Sequence, residues 1–400
     1  MTDRLYYTDS FLHEFEARVV AVSGEAVVLD SSAFYPTSGG QVFDTGWLEA
    51  DGSVRIRVKE VAENEQTGEV LHILEGAAVL QPGVMVRGMI DAERRLDHMQ
   101  QHTGQHVLSA AFEKLYGFAT VSFHMGEETC TIDLATDAVN ARQLEAAEML
   151  VNQIIAEDRP VEIRFATPDE ARTLGVRKIP PAEREKLRLI DVRDFDLNAC
   201  GGTHVRSTGQ IGCILLRKVE KVKQGVRVEF VCGLRAVRTA RHDFQTLTEA
   251  AGVFSTHIWE VPAQVRKSLE EIKTAQKAQH HLLEEVAELK AQQLLQAAPD
   301  RGGFKLVAQF FPERDLGFIK MLAQKVTKSA TAVALLGCGG QQPSLVFAQT
   351  SGLANDMGAL MKDTVQRLGT RGGGNRDMAQ GGAPSGDSAE AALRDVAGGL

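Results

Sequence analysis

The sequence predicts a multidomain α+β protein with a small N-terminal β-barrel, an α+β domain, a helical arm and a small C-terminal α/β domain. Three observations lead to this prediction: short apolar runs between turn residues over residues 1–90, a glycine-free polar stretch over 262–297, and alternating strand and helix patterns after residue 300. A chain of 400 residues can form several domains that each bury a core. The predicted domain boundaries are 1–90, 91–250, 251–300 and 301–400.

The composition is that of an ordinary soluble protein, with 44% hydrophobic and 24% charged residues. No apolar run approaches the roughly 18 residues that a membrane helix needs, and the N-terminus lacks the pattern of a signal peptide. Five cysteines are too few for a disulfide framework and favour a reducing compartment. We therefore expect a cytoplasmic protein. The net charge of −9 does not exclude nucleic acid, because binding depends on local charge.

The first 90 residues show the pattern of short antiparallel strands. Apolar runs alternate with Gly, Asp, Asn and Pro, which mark turns. This spacing predicts a small barrel or sandwich. The strands are predicted at 18–23, 26–30, 54–61, 70–74 and 84–90.

The pattern changes to helix at Asp91, which is a plausible N-cap for a helix over 92–116. Gly104 is the one weak position in that helix. Further elements follow as far as residue 240 and complete an α+β domain. They are a strand-like stretch at 120–134, a helix at 138–157, a strand at 161–165, and strands at 211–219 and 226–231 around a turn at Gln224 and Gly225.

A long helix is predicted over 262–297, where Val265, Leu269, Ile272, Leu283 and Val286 form a broken heptad pattern. It could be an antiparallel helical hairpin arm or a solvated linker helix. The remaining residues predict a small α/β domain that ends in a glycine-rich run over 369–386. Its elements are strands at 304–311, 331–336 and 344–349, and helices at 316–329 and 355–368.

Four residues form the strongest functional signal. His102 and His106 are four apart on a predicted helix and therefore share one face, while Cys200 and His204 lie in a glycine-containing turn. Three imidazoles and one thiolate are a ligand set that suits Zn²⁺. The spacing alone does not distinguish a metal site from an incidental pair of motifs, and it also allows His98 with His102 as the helical pair.

Three segments resemble the editing domain of alanyl-tRNA synthetases and their free-standing AlaX relatives. The resemblance covers roughly residues 5–240 and implies that one Zn²⁺ is bound by His102, His106, Cys200 and His204, which makes His98 a surface or supporting residue. The segments are Phe-Tyr-Pro-Thr-Ser-Gly-Gly-Gln at 34–41, Gln-Gln-His-Thr-Gly-Gln-His at 100–106, and Cys-Gly-Gly-Thr-His at 200–204.

The same resemblance implies the reaction and further site residues. The expected reaction is hydrolysis of the ester in mischarged seryl-tRNA(Ala), with glycyl-tRNA(Ala) as a second substrate. Thr37 is implied to bind the seryl hydroxyl, Gln41 to position substrate or water, and Gly39 and Gly40 to let the backbone approach the terminal adenosine. The alternative for Thr37 is a turn-capping hydroxyl, and the alternative for both glycines is a tight turn. His124 is expected to be a packed structural residue.

The last hundred residues resemble the C-terminal domain of the same synthetases, the DHHA1 module, through the glycine-rich run at 372–382. Arg371 and Arg376 of this run are candidate tRNA contacts, and a disordered loop is the alternative. A homodimer through the C-terminal region is also expected. Because the chain starts at the barrel, we expect no aminoacylation core, although ATP binding is associated with the family as a whole.

A basic stretch at 206–241 contains nine Lys and Arg residues but two Asp and Glu residues. It begins just after the last proposed ligand, where an acceptor stem would lie, so we expect it to contact tRNA; a solvated charged face is the alternative. Two other functions remain open. The protein could edit another aminoacyl-tRNA, or it could bind tRNA without catalysis and use its metal only for structure.

Overall fold

The computed structural model describes residues 2–50, 54–64, 66–76, 80–176, 186–223 and 225–400. The chain divides into two compact units, Met1–Glu249 and Ala250–Leu400. The architecture is mixed α+β with a closed six-stranded barrel, which confirms the barrel rather than the sandwich. The division into four domains stays a prediction.

Strands β2, β5, β7 and β8 of the N-terminal region alternate buried residues with more exposed ones, as expected for a barrel with one face on a core. Strands β2, β3, β7, β6, β5 and β8 close the barrel in that order, while β1 and β4 pair in parallel beside it. The sequence analysis missed β5, which closes the barrel between β6 and β8. The bounds are β1 Asp3–Arg4, β2 Glu14–Ser23, β3 Ala26–Leu29, β4 Ser31–Ser32, β5 Gly46–Ala50, β6 Val54–Glu63, β7 Val70–Leu74 and β8 Met85–Ile90.

Helix α1 (Ala92–Tyr116) has the predicted bounds, and its ends explain them. The Asp91 carboxylate accepts a hydrogen bond from the Arg94 amide, and Gly117 ends the helix in the left-handed region with φ of 69°. Gly104 is required by packing, because a Cβ there would lie 2.3 Å from Cys232 Sγ. The middle of α1 is therefore a buried axis of the first unit, which makes it a rigid support for a site.

In the described part of the first unit, two antiparallel sheets with strand orders β14-β15-β10-β9 and β11-β12-β13 follow, together with helices α2 and α3 and most of α4. The predicted strand-like stretch at 120–134 is two strands, β9 and β10, and strands β12 and β13 were missed. Of the predicted turn at Gln224 and Gly225, Gln224 lies outside the described residues. The bounds are β9 Thr120–Met125, β10 Cys130–Leu134, α2 Ala141–Ala156, β11 Val161–Ala166, α3 Pro168–Thr173, β12 Leu187–Val192, β13 Asp196–Ala199, β14 Ile214–Val222, β15 Gly225–Cys232 and α4 Gly233–Val253.

Helix α5 (Val261–Ala297) runs without interruption over 37 residues, so the predicted long helix is correct and a hairpin within it is wrong. Its last turns are buried through Ala287, Ala291 and Leu295 against α6 (Leu316–Ser329). Val261 at its start is also buried, but Val265, Leu269 and Ile272 in the turns that follow are exposed.

A five-stranded mixed sheet forms the rest of the second unit, in the order β16-β17-β18-β20-β19, and helices pack on both faces. The parallel pair β16 and β17 is joined through α6, as in α/β units. The glycine-rich run forms the edge hairpin β19-β20 instead of a loop, and α8 after it was not predicted. The remaining bounds are β16 Lys305–Phe311, β17 Ala332–Cys338, β18 Ser344–Gln349, α7 Met357–Arg367, β19 Gly372–Gly374, β20 Met378–Gly382 and α8 Gly386–Gly398.

Candidate metal centre

The structure brings the four predicted ligands together. His102 and His106 project from adjacent turns of α1, and Cys200 and His204 come from the turn that follows β13. One potential ligand atom from each residue lies within 4.8 Å of all the others. Cys200 Sγ is 3.4 Å from Nε2 of His102 and 3.4 Å from Nε2 of His204. Of the two helical pairs that the spacing allowed, the cluster contains His102 and His106.

Each imidazole of the cluster has a second polar partner on its other ring nitrogen. His102 Nδ1 donates to Gln41 Oε1 at 2.7 Å, and His106 Nδ1 donates to Asp196 Oδ2 at 3.3 Å. His204 Nδ1 and Thr103 Oγ1 are 3.1 Å apart and share a hydrogen bond. Such partners fix the ring orientation and direct Nε2 to a metal. The sequence analysis missed Asp196 and Thr103. The only signal for them was closeness in sequence to a predicted ligand, since Asp196 lies four residues before Cys200 and Thr103 directly follows His102.

The sulfur-to-nitrogen distances within the cluster fit tetrahedral coordination of a metal ion. With zinc bonds of about 2.3 Å to sulfur and 2.0–2.1 Å to nitrogen, tetrahedral ligands would place sulfur and nitrogen ~3.6 Å apart. The observed 3.4 Å separations are close to that value. Three nitrogen donors and one sulfur donor, all at least half buried, can therefore hold a metal ion without rearrangement of the backbone.

Charge within the cluster favours a thiolate. Burial by itself would raise the pKa of the Cys200 thiol, but the His102 and His204 imidazoles hold it well below its usual value. Burial and the neighbouring His102 keep the pKa of His204 well below its usual value. Burial also opposes protonation of His106, yet its hydrogen bonds to Asp196 and Cys200 raise its pKa to about 9.

The turn that carries Cys200 and His204 is held in place by Arg188, which the sequence analysis missed. Its Nη1 donates to the carbonyls of Cys200 at 2.7 Å and Gly202 at 2.9 Å, and its Nε donates to the Tyr7 carbonyl at 2.9 Å. Gly202 is required at its position, because a Cβ there would lie 2.1 Å from His102 Cε1. The buried guanidinium therefore fixes a backbone that lies too close to His102 for any residue other than glycine.

A cleft of about 560 Å³ opens beside the cluster. Its lining includes the ligands His102, His106 and Cys200 as well as residues of β9 and β13. The lining residues are Gly39, His102, Gln105, His106, Glu113, Ala119, Thr120, Val121, Ser122, Phe123, Asn198, Ala199, Cys200 and Gly201.

The residues of the N-terminal motif take different positions around this cleft. Gly39 lines it, and Gly40 contacts β9 so closely that a Cβ would lie 2.6 Å from the Phe123 carbonyl oxygen. Gln41 is fully buried against His102 and Thr203. Thr37 is exposed and is not among the lining residues. Its assignment as the reader of the seryl side chain stays a prediction.

His98 and His124 lie outside the cluster. His98 is buried and faces a second cavity of about 320 Å³, which is also lined by Arg94 and Arg235. Burial lowers its pKa to about 3, so the ring is neutral. His124 is exposed on β9 rather than packed, contrary to expectation.

The basic stretch at 206–241 carries less unpaired charge than its sequence suggests. In the part of the chain that the structure describes, six of its nine basic residues form ion pairs with acidic groups. The pairs are Arg206 with Asp9, Arg217 with Asp243, Lys218 with Glu220, Arg227 with Asp133, Arg235 with Asp97, and Arg238 with Glu93. In the second unit, Arg371 is exposed beside β19, while Arg376 lies 3.4 Å from the carbonyls of Leu353, Ala354 and Asn355.

Two family models match parts of the chain. Residues 7–94 match the family described as tRNA synthetases class II (A), and residues 187–228 match the threonyl and alanyl tRNA synthetase second additional domain. The alanyl-tRNA editing protein AlaX-L of Pyrococcus horikoshii is 31% identical over 95% of this chain and 94% of its own length. The chain belongs to the AlaX-L family. The resemblance stated from the motifs is thereby confirmed.

Synthetases also match, but only in part. The alanine–tRNA ligases of Archaeoglobus fulgidus and Pyrococcus abyssi are 34% and 32% identical over 95% of this chain. The chain spans 42% of the length of each of these ligases. ATP binding gains no support from the comparisons or from the cluster. Within the described residues, no helix has both the length and the hydropathy needed to cross a bilayer.

Proposed function

We propose that the chain is a zinc-dependent aminoacyl-tRNA hydrolase that deacylates mischarged seryl-tRNA(Ala) and, as a second substrate, glycyl-tRNA(Ala). The observation that carries this proposal is the cluster of three histidines and one cysteine that opens onto a cleft of about 560 Å³. Membership of the AlaX-L family supports tRNA as the substrate class.

The side chains around the cluster suit ester hydrolysis. When bound, zinc supplies Lewis-acid catalysis, either by polarising a carbonyl or by lowering the pKa of a water molecule. Gln41, Thr103 and Asp196 orient the three imidazoles, and the lowered pKa of Cys200 keeps its sulfur in the thiolate form that binds metal. The cleft residues then bind the aminoacyl ester beside the ligands.

Selectivity for serine over alanine follows from hydrogen bonding. A site with a polar group that needs the seryl hydroxyl rejects an alanyl ester by about 10⁴ or more, because the methyl group leaves its polar group unpaired. A glycyl ester has no methyl group there and leaves room for a water molecule to pair with that group, so it is expected to be hydrolysed more slowly than the seryl ester but not rejected. Thr37 is the residue that the family motif assigns to this role. Since Thr37 is exposed here, the assignment requires the loop at 37–40 to bring it to the substrate.

Binding of tRNA involves both units in this proposal. Arg371 is exposed at the edge of the C-terminal sheet and offers a guanidinium to phosphate. A contact between the C-terminal unit and the tRNA raises the effective concentration of the tRNA 3′ end at the cleft, without new contacts in the cleft itself. The exposed apolar residues Val265, Leu269 and Ile272 on α5 support a homodimer through the C-terminal unit, which light scattering during gel filtration would detect.

The decisive experiment measures deacylation of a panel of mischarged tRNAs by the purified chain. We expect rapid hydrolysis of seryl-tRNA(Ala), slower hydrolysis of glycyl-tRNA(Ala) and none of alanyl-tRNA(Ala). Equal rates on seryl and alanyl esters would remove the specificity, and a preference for seryl-tRNA(Thr) would identify a different editing substrate.

A second experiment tests the metal. The double variant Cys200→Ala, His204→Ala should lose bound zinc and hydrolysis together, as measured by elemental analysis and deacylation. Hydrolysis that survives the loss of zinc would assign the ion a purely structural role.

A further inference from the structure

Asn198 is the one polar residue of the cleft whose side chain has no partner among the described residues. Its neighbours are engaged: Gln105 Nε2 and Thr120 Oγ1 both donate to Ser109 Oγ, and Ser122 Oγ donates to an Asp133 carboxylate oxygen. Asn198 Oδ1, by contrast, is buried without a hydrogen bond. Buried polar atoms are almost always paired in native proteins, so this one calls for an explanation.

The position of Asn198 relates it to the metal ligands. It lies on β13 two residues after Asp196, which holds His106, and two residues before Cys200. Alternate residues of a strand project from the same face, so the Asn198 amide lies on the face that supports the cluster. Pairing of β13 with β12, where Asn198 is opposite Ile190, fixes the backbone. The backbone of Asn198 is therefore fixed, and its side-chain amide lies beside the cluster and inside the cleft.

The chemistry of an amide limits what it can bind. Asn198 offers one carbonyl acceptor and two N–H donors, and the terminal torsion of an asparagine is broad, so either end can turn toward the cleft. The unsatisfied oxygen requires a donor. A carboxylate at this place would also accept hydrogen bonds, but it would compete for the metal, since Asp and Glu oxygens bind zinc.

We propose that the Asn198 side-chain oxygen binds the α-ammonium group of the aminoacyl ester. The inference rests on the proposed function and names the part of the substrate that this residue recognises. The α-ammonium is bonded to the carbon next to the scissile carbonyl, so a substrate whose carbonyl lies at the cluster brings it near. It has three donors and no acceptor, which matches an unpaired carbonyl oxygen. Recognition of this group selects aminoacyl esters whatever their side chain.

The test compares two substrates and two variants of the full chain. Seryl-tRNA(Ala) carries a free α-ammonium, and N-acetylseryl-tRNA(Ala) does not. Asn198→Ala should lower kcat/KM for seryl-tRNA(Ala) about 10- to 100-fold, the range expected for a hydrogen bond to a charged group. The same substitution should leave the slower hydrolysis of the N-acetyl substrate unchanged. Asn198→Gln, which keeps an amide oxygen and adds no carboxylate beside the metal ligands, should retain more activity on the free ammonium than Asn198→Ala.

Controls separate this inference from folding and from the proposed function. Zinc content is measured for each variant, and Asn198→Leu repeats the comparison if Asn198→Ala binds less metal. Gln153→Ala is the matched control, because the Gln153 amide on α2 donates to the Glu157 carboxylate just after that helix and does not line the cleft. A wild-type chain inactive on every aminoacyl-tRNA would end the proposed function. An active wild type with unchanged activity of Asn198→Ala, or with the same loss on both substrates, would overturn the role of Asn198 alone.

Discussion

Gln41 Oε1 accepts a hydrogen bond from His102 Nδ1 at 2.7 Å and another from the Thr203 amide at 3.1 Å. One buried amide from the barrel loop thus joins a ligand on α1 to the turn between Cys200 and His204. Gln41 Nε2 completes the link by donating to Thr203 Oγ1 at 2.8 Å. The N-terminal motif is in this way part of the support of the metal centre.

Gln41→Ala should therefore weaken zinc binding by about 10- to 100-fold, the usual effect of removing such a supporting partner. Competition with a chromophoric chelator measures this affinity. Gln41→Glu keeps an acceptor for His102 and should bind zinc more tightly than Gln41→Ala. If Gln41→Ala binds zinc as the wild type does but loses activity, its role is on the substrate instead.

Gly202→Ala should abolish metal binding, whereas Gly201→Ala should preserve it. A Cβ at position 202 would lie 2.1 Å from His102 Cε1, while at position 201 the nearest atom is Tyr7 Oη at 3.6 Å. The two adjacent substitutions are chemically identical, so elemental analysis of both variants compares geometry alone. Equal zinc contents would contradict the close approach.

Arg95→Met should destabilise the first unit by about 3–5 kcal/mol, because it leaves the buried Asp44 carboxylate unpaired. Arg95 is fully buried and also donates to the carbonyls of Ser10 at 2.7 Å and Ala33 at 2.6 Å. Chemical denaturation measures the loss. Arg87→Met, which removes an exposed partner of Glu14, should have little effect, and a similar loss in both variants would argue against the buried pair.

The stability of the barrel should fall as the pH drops from about 6.5 toward 4. His72 is fully buried, its Nδ1 donates to the Val27 carbonyl at 3.0 Å, and burial lowers its pKa to about 4. Between these values the unfolded chain binds a proton that the folded chain does not, which favours unfolding by up to about 3 kcal/mol.

Denaturation at pH 5 and pH 7 measures this dependence, and His72→Gln should reduce it. Part should remain, because the pKa of His98 is also lowered by burial. A pH dependence identical in the wild type and His72→Gln would show that His72 does not cause it.

Arg371→Ala should weaken tRNA binding. It should also reduce the slope of the logarithm of the binding constant against the logarithm of the salt concentration by about one, because about one fewer counterion is released on binding. Arg371 is exposed, whereas the Arg376 guanidinium faces backbone carbonyls at 353–355, so Arg376→Ala should act mainly on stability. Filter binding at several salt concentrations tests both. Lys328→Ala is the matched control for an exposed cation in the same unit, and equal effects of Lys328→Ala and Arg371→Ala would remove the specific role of Arg371.

The sequence by itself determined many of the local elements and, through motif resemblance, the identity of the cluster. Helix α1 could be delimited because Asp91 and Gly117 are capping residues whose effect acts within a few positions. Five of the six barrel strands followed from short apolar runs between turn residues, which are also local signals, while β5 was missed. Motif resemblance then selected His102, His106, Cys200 and His204, which the structure places within 4.8 Å of one another.

Only the tertiary structure decided which polar residues support these ligands. Gln41 and His102 are 61 positions apart, and His106 and Asp196 are 90 apart, so no periodicity connects them. The same holds for Arg188, which appeared as one charged residue among many and is in fact buried under the ligand turn. Side-chain hydrogen bonds between distant segments depend on how sheets and helices pack, and packing is a property of the whole fold rather than of any one segment of sequence.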